Sequence, residues 1–120
     1  HPDRMWETVL LADFNSEPEN ERFAGDPTWS VLDDWIDLWG EHPGVGELHT
    51  VPSRQGDPEL NFPPALFDRA LVQPDVREEP WVTSLPSLVA RGCDTNNIKT
   101  KPGNNGHVSD HYPIYITIRR

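Results

Sequence analysis

Two short polar motifs contain the residue types that hydrolytic chemistry needs. One follows an apolar run at residues 8–12, and the other precedes an alternating apolar segment at residues 112–118. If these predicted strands run antiparallel, the end of the first and the start of the second meet at one edge of a sheet. The spacing therefore predicts a single site that contains Asp13, Asn15, Asp110 and His111.

This combination of groups suits the cleavage of a phosphoester. A carboxylate can hold Mg²⁺ or Mn²⁺, or can orient an attacking water as a base. An asparagine carboxamide such as that of Asn15 can donate to a phosphoryl oxygen without adding negative charge. A histidine kept as imidazolium by a carboxylate can donate to the pentacoordinate phosphate as its charge grows. Asp68, a charged residue inside a predicted strand, is our candidate for the carboxylate that supports His111.

Each motif also has a purely structural interpretation. Asp-x-Asn commonly forms a turn, and Ser-Asp before a strand is also frequent turn chemistry. Placement of both motifs at strand ends is more specific than either motif alone. The combination favours half of a divalent-metal site that cleaves phosphoesters.

The elements that must position these groups are short. Residues 8–12 predict a strand buried on both faces, residues 66–72 a second strand, and residues 112–118 the clearest strand of the chain. Residues 80–89 predict another strand or an irregular packed segment. Residues 41–64 and 92–107 are rich in Pro, Gly and polar residues and predict long exposed loops, the first with a strand-like stretch at residues 48–51.

The spacing of apolar residues over residues 29–39 predicts a helix that ends at Gly40. In that helix Asp33, Asp34 and Asp37 point outward as a solvated face. Thr50 and Trp39 are weaker candidates for lining a groove. Arg69 should point to the face of its strand opposite Asp68, where a structural ion pair and a substrate contact are equally compatible with the sequence.

Composition excludes several functional classes. The formal charge of −10 argues against non-specific electrostatic binding of nucleic acid, although a bound cation would reverse the charge of an acidic site. Cys93 is the only cysteine, so the chain can form no internal disulfide. No apolar stretch approaches the ~20 residues of a membrane span, and nothing in the sequence indicates a compartment. The 120 residues fit one globular domain.

Three segments carry a resemblance to a known family. Residues 9–16 (VLLADFNS), 67–69 (FDR) and 108–113 (VSDHYP) resemble the C-terminal signatures of the endonuclease/exonuclease/phosphatase superfamily. Within it, the sequence is most similar to the tyrosyl-DNA phosphodiesterase 2 group, through Asp34-Trp35 with Gly40, Thr50 ahead of a loop, and the segment before Ser109. The resemblance implies an α+β protein with a DNase I-like two-sheet sandwich, of which residues 1–120 form the C-terminal part with mainly antiparallel strands.

The resemblance also implies roles for individual residues. Asp13 would orient the nucleophilic water, and Asn15 and His111 would contact the scissile phosphate. Asp68 would support His111, and Asp110 would lie in the metal or phosphate shell, with Mg²⁺ as the expected ion and Mn²⁺ as the alternative. Ala12 stands where the family usually has glycine, which removes no functional group.

The family places its metal-holding glutamate and a further phosphate-contacting asparagine in an N-terminal half that these residues do not contain. We therefore expect a partner half, from the same parent chain or a second chain, and a phosphoester substrate such as DNA. The isolated 120 residues should be inactive and poorly soluble, because half of a sandwich leaves an apolar face uncovered. The alternative is a catalytically silent interaction module that keeps this half of the fold.

Overall fold

A computed structural model describes residues 7–51, 63–89 and 111–120. Its helices and strands are short and follow one another as β1 (Val9–Asp13), α1 (Pro27–Val31), β2 (Ile36–Asp37), β3 (Asp68–Val72), β4 (Val82–Thr83), β5 (Ser87–Leu88), β6 (Ile114–Tyr115) and β7 (Ile118–Arg119). The mixture of helix and antiparallel strands confirms an α+β protein. Among the described residues, no helix has the length and apolar character needed to cross a membrane.

The central sheet has three antiparallel strands in the order β1-β3-β2. Strand β3 occupies the middle position, and four of its five residues are buried. The predicted strand at residues 66–72 is thus confirmed, beginning two residues later than expected. Because β3 has neighbours on both sides, it provides the rigid base on which the other segments pack.

Strand β1 lies at an edge of this sheet, and the prediction that it is buried on both faces was wrong. None of its residues is fully buried, and Leu11 is 54% exposed. Val9, which shares a face of the strand with Leu11, packs on the core. Among the described residues, β1 pairs only with β3, and Leu11 remains about half exposed in a groove that Ile114 also lines.

The predicted helix over residues 29–39 was also wrong. Asp26 caps the short helix α1 by accepting from the Thr28 amide at 2.9 Å, and the helix ends at Val31. Residues Ile36–Asp37 then pair with β3, and residues Leu38–Glu41 form a 3-10 helix. Pairing with the buried strand β3 provides tertiary contacts that outweigh the helical spacing of the apolar residues.

The C-terminal segment keeps the predicted alternation but divides into two strands. Ile114, Ile116 and Ile118 pack against the core, while Tyr115 is exposed. Strand β6 pairs with β5 and β7 pairs with β4, both antiparallel. The three residues 84–86 face the two residues 116–117 between these ladders, and Pro86 has no N–H to donate. The ladder therefore breaks there.

The core is small and centred on β3. Leu38, Ala70, Val72 and Val76 form its buried cluster, against which strands β1, β2, β6 and β7 each place an apolar side chain. The loop predicted over residues 41–64 is not uniformly exposed, because Thr50 is fully buried and Val51 forms an isolated bridge with Ala65. The predicted strand at residues 48–51 is reduced to this single bridge. The predicted loop at residues 92–107 lies outside the described residues.

Candidate functional site

Antiparallel pairing of β1 and β3 brings two carboxylates to the same edge of the sheet. Asp13 is the last residue of β1 and Asp68 the first of β3, and the register places them directly opposite each other. Two negative charges in such a cross-strand pair repel one another. The pair therefore favours a cation or a proton donor at this edge.

His111 lies between these two carboxylates. Its Nδ1 is 2.7 Å from Asp68 Oδ2, and its Nε2 is 4.0 Å from Asp13 Oδ2. The short contact orients the imidazole, since a carboxylate at Nδ1 favours the proton on that nitrogen and turns Nε2 toward the groove. The gap between Nε2 and Asp13 is too long for a direct hydrogen bond.

One oxygen atom fits that gap. An oxygen at ~2.8 Å from each partner is within hydrogen-bond range of both Nε2 and the Asp13 carboxylate. A water at this point would donate to the Asp13 carboxylate on one side and would accept from Nε2 on the other when the imidazole carries both protons. The three side chains and this oxygen position thus form a series of contacts from Asp68 through His111 to Asp13 that bends at the oxygen.

Strand β6 does not pair with β1 among the described residues, so the cluster forms by a different route from the one expected. We predicted that the segment after His111 would run antiparallel beside the strand of Asp13. In the structure, β3 connects the two segments, because it pairs with β1 and contacts β6. Asp13 and His111 meet across the end of β3.

Asn15 stands beside this cluster through its backbone. Its N–H donates to Asp13 Oδ1 at 2.9 Å, and its φ of 51° lies in the left-handed region that asparagine tolerates better than most residues. The bond fixes the Asp13 carboxylate, and the Asn15 side chain itself is exposed. Asp110, the remaining predicted site residue, lies outside the described residues.

The cluster opens into a groove of about 370 Å³. Its charged end is formed by Asp13, Asp68 and His111, and its wall is largely apolar, with Leu11, Tyr112, Pro113 and Ile114. Asp13 has 48% of its side chain exposed and His111 has 24%. Both groups can therefore reach a ligand in the groove, whereas Asp68, which is 19% exposed, is directed at His111.

The two predicted groove residues, Trp39 and Thr50, are buried beneath the site instead. Trp39 is fully buried and its Nε1 donates to the Asp68 carbonyl at 2.9 Å. Thr50 Oγ1 accepts from the Asp68 amide at 3.1 Å. Both residues hold the backbone of Asp68, a role that only the three-dimensional contacts reveal.

Arg69 points away from the site, as strand alternation predicted, and its guanidinium is fully buried. It forms ion pairs with Glu19 and Asp37, lies 5.5 Å from the centre of the Trp29 ring, and donates from Nε to the Leu66 carbonyl at 3.0 Å. The structure therefore supports the structural ion pair. The expectation that Asp37 is a solvated residue was wrong, because Arg69 draws it into the protein.

Burial raises the pKa of the Asp37 carboxyl above its ordinary value, and the Arg69 guanidinium opposes that shift. Asp37 also accepts from the Trp39 amide at 3.0 Å through Oδ1. The same carboxylate thus connects the buried Arg69 to the segment that carries Trp39. The outward positions of Asp33 and Asp34 are confirmed by their exposure.

The donor set can accommodate a hard divalent cation. One oxygen atom from each carboxylate and one ring nitrogen of His111 all lie within 4.8 Å of one another. Asp68 commits an oxygen to the imidazole, which leaves Asp13 as the accessible carboxylate. Mg²⁺ retains several waters and commonly binds through one or two carboxylates, so this site fits it if further ligands come from elsewhere.

Comparisons with protein-family models, curated proteins and solved structures found no match to the chain.

Proposed function

We propose that Asp13, Asp68 and His111 belong to the active site of a metal-dependent phosphoesterase. The observation that carries the proposal is the 2.7 Å contact between Asp68 and His111 Nδ1, with Nε2 turned toward the exposed carboxylate of Asp13. This arrangement offers a carboxylate base for an attacking water and, with the imidazole doubly protonated, a supported donor for a neighbouring phosphoryl oxygen. Hydrolysis of a phosphoester requires both.

The residues divide the work of hydrolysis. Asp13 accepts a proton from water as the water oxygen attacks phosphorus. The bond from phosphorus to the leaving oxygen breaks, and that oxygen departs with the bonding electrons as an alkoxide or phenoxide that takes a proton from solvent. The His111 imidazolium donates a hydrogen bond to a phosphoryl oxygen as negative charge accumulates there. Asp68 stabilises the imidazolium. Because the negative charge is greatest in the transition state, this hydrogen bond strengthens during the reaction and lowers the barrier.

Mg²⁺, or Mn²⁺ in its place, is the proposed cofactor, with Asp13 and Asp110 as the residues of this chain that would hold it or its waters. The ion supplies Lewis-acid stabilisation of the phosphoryl oxygens when bound. Asn15 is proposed to contact the scissile phosphate, since its left-handed backbone places it directly beside Asp13.

We further propose that the chain is the C-terminal half of a DNase I-like sandwich. Two features support this proposal. The edge strand β1 exposes Leu11 beside the groove, and among the described residues of the site Asp13 is the one accessible carboxylate, so a bound metal ion would need further ligands. A second half, from the same parent chain or another chain, would cover the apolar face and complete the metal ligands.

For the substrate we propose a phosphodiester, with 5'-phosphotyrosyl DNA first and a general nuclease or lipid phosphatase substrate second. The test uses the full-length protein, meaning the complete gene product that contains these 120 residues. Purified protein is assayed on a 5'-phosphotyrosyl oligonucleotide, plain duplex DNA and an inositol phosphate, with Mg²⁺, with Mn²⁺ and with EDTA. We expect metal-dependent turnover of at least one substrate.

Variants then test the residue roles. His111→Ala and Asp13→Asn should each lower kcat by about 10²- to 10⁴-fold, the range of general acid–base contributions. Asp33→Asn is the matched control, because Asp33 is an exposed carboxylate away from the groove, and it should leave turnover unchanged. Full activity in His111→Ala would contradict its role. Absence of turnover on every substrate would favour the silent interaction module.

A further inference from the structure

Thr50 joins the two chain segments that carry Asp68 and His111. Its Oγ1 accepts from the amides of Phe67 at 3.2 Å and Asp68 at 3.1 Å. Its carbonyl accepts from the amide of Tyr112, the residue after His111, at 2.6 Å. A single fully buried residue therefore binds both sides of the Asp68–His111 contact.

Thr50 is itself held in place by main-chain hydrogen bonds. The amides of Thr50 and Val51 both donate to the Ala65 carbonyl at 2.9 Å, and the Ala65 amide returns a bond to the Val51 carbonyl at 2.9 Å. Ala65 is buried and lies three residues before β3. The position of Thr50 is thus fixed relative to the start of the strand that carries Asp68.

The need for this residue follows from the length of β2. Strand β2 pairs only with Val72 and Leu71, at the far end of β3. At Asp68 the corresponding flank of β3 has side chains in place of a neighbouring strand: Thr50 Oγ1 receives the Asp68 N–H, and Trp39 Nε1 donates to the Asp68 carbonyl. A buried N–H without such an acceptor is strongly unfavourable, so the hydroxyl is required where the strand ends.

We propose that Thr50 is a positioning residue that sets the hydrogen bond between Asp68 and His111. Its hydroxyl fixes the backbone of Asp68, and its carbonyl fixes the backbone next to His111, so that the 2.7 Å contact between the two side chains is formed before a ligand arrives. The effect of Thr50 on catalysis rests on the proposed phosphoesterase function. Its effect on the geometry of the Asp68–His111 pair is independent of that function.

The test compares an isosteric variant with a conservative one in the full-length protein. Thr50→Val keeps the shape but has no acceptor, and Thr50→Ser keeps the hydroxyl. Val76→Ala, a core change away from the site, is the control for loss of stability alone. The first readout is the downfield proton resonance of His111 Nδ1–H, observed with imidazole-labelled histidine and assigned through Asp68→Asn.

We expect this resonance to shift or broaden in Thr50→Val and to persist in Thr50→Ser and Val76→Ala. In the activity assay, Thr50→Val should lower kcat by about 10²-fold, the cost of a displacement of about 1 Å at a reacting centre, with KM nearly unchanged. Thr50→Ser should restore most of kcat. An unchanged resonance in folded Thr50→Val would overturn the proposal, whatever the activity of the protein.

A measurement on the unaltered protein covers the case in which Thr50→Val does not fold. The amides of Phe67, Asp68 and Tyr112 all donate hydrogen bonds to Thr50. Their hydrogens should therefore exchange with solvent through one shared opening event, with the same opening free energy. Rapid exchange at Tyr112 beside slow exchange at Asp68 would overturn the proposal. If the unaltered protein shows no turnover on any substrate, the proposed function fails, while the resonance and the exchange still decide the role of Thr50.

Discussion

Replacement of Arg69 by methionine removes a buried positive charge and leaves its partners behind. The guanidinium is 0% exposed and the Asp37 side chain is 17% exposed, whereas Glu19 is 35% exposed and can turn toward water. Breaking a buried ion pair from one side costs about 3–5 kcal/mol. Methionine retains most of the aliphatic volume, so the missing charge accounts for most of the expected loss.

We expect Arg69→Met to lower the free energy of unfolding by about 3–4 kcal/mol, because Asp37 is left buried while Glu19 is rehydrated. Urea unfolding followed by tryptophan fluorescence measures this, since the Trp29 ring lies 5.5 Å from the guanidinium. Arg77→Met is the matched control, because Arg77 pairs with Glu41 at the surface. An exposed pair of this kind contributes only about 0–1 kcal/mol.

The destabilisation caused by Arg69→Met should depend on pH through the ionisation of Asp37. Burial already raises the pKa of Asp37, and loss of Arg69 removes the opposing cation. The loss of unfolding free energy in Arg69→Met, relative to the unaltered protein, should be largest when Asp37 is ionised. It should become smaller as the pH falls and the carboxyl is neutralised. Adding Asp37→Asn should recover part of the loss at neutral pH. Equal losses for Arg69→Met and Arg77→Met would refute the assignment of Arg69 as a buried structural cation.

Three further predictions concern the surroundings of the site. Trp39→Phe should destabilise the protein by about 1–3 kcal/mol and lower kcat, because the Asp68 carbonyl loses its indole donor; normal thermal unfolding and normal kcat would contradict this. The hydrogen bond from Arg77 lowers the pKa of Glu41 below its ordinary 4.5, so this pair should stabilise the protein above that pH and lose its effect as the pH falls through the lowered pKa. NMR titration of the side-chain carboxyl groups should show that the pKa of Glu41 rises toward its ordinary value in Arg77→Gln. The isolated 120 residues should be inactive and self-associate, and Leu11→Ser should reduce that association in light scattering while destabilising the full-length protein; metal-dependent cleavage by the isolated chain would contradict this.

The central cluster was predictable because it depends on strand ends. Asp13 and His111 were predicted at the ends of apolar strands, and Asp68 was predicted to support His111 because a charge inside a strand needs a partner; the structure makes Asp68 the first residue of β3. The direction of Arg69, opposite to that of Asp68, followed from the alternation of side chains along the same strand, whereas its burial did not. His111 followed from the start of the C-terminal strand, although among the described residues β6 contacts β3 and does not pair with β1.

The support for the cluster was not predictable, because it depends on contacts between residues far apart in the sequence. Residues 29–39 carry a helical spacing, yet Ile36 and Asp37 pair with β3 and place Trp39 beneath Asp68. Thr50 lies in a segment whose composition is typical of an exposed loop, and only its hydrogen bonds reveal that it is buried. Local preferences are weak where a buried strand offers a partner.

Strand β3 carries Asp68 toward the groove and Arg69 toward the interior, each with partners that suit only its own side. A slip of one residue in the register of β3 would exchange the two faces. The guanidinium would then lie beside His111, and the carboxylate would lie beside Glu19 and Asp37 without a cation. The buried acidic residues would then have no cation, and His111 would lose the carboxylate that contacts it. The register that gives the buried Arg69 its acidic partners is therefore the same register that brings Asp68 to His111.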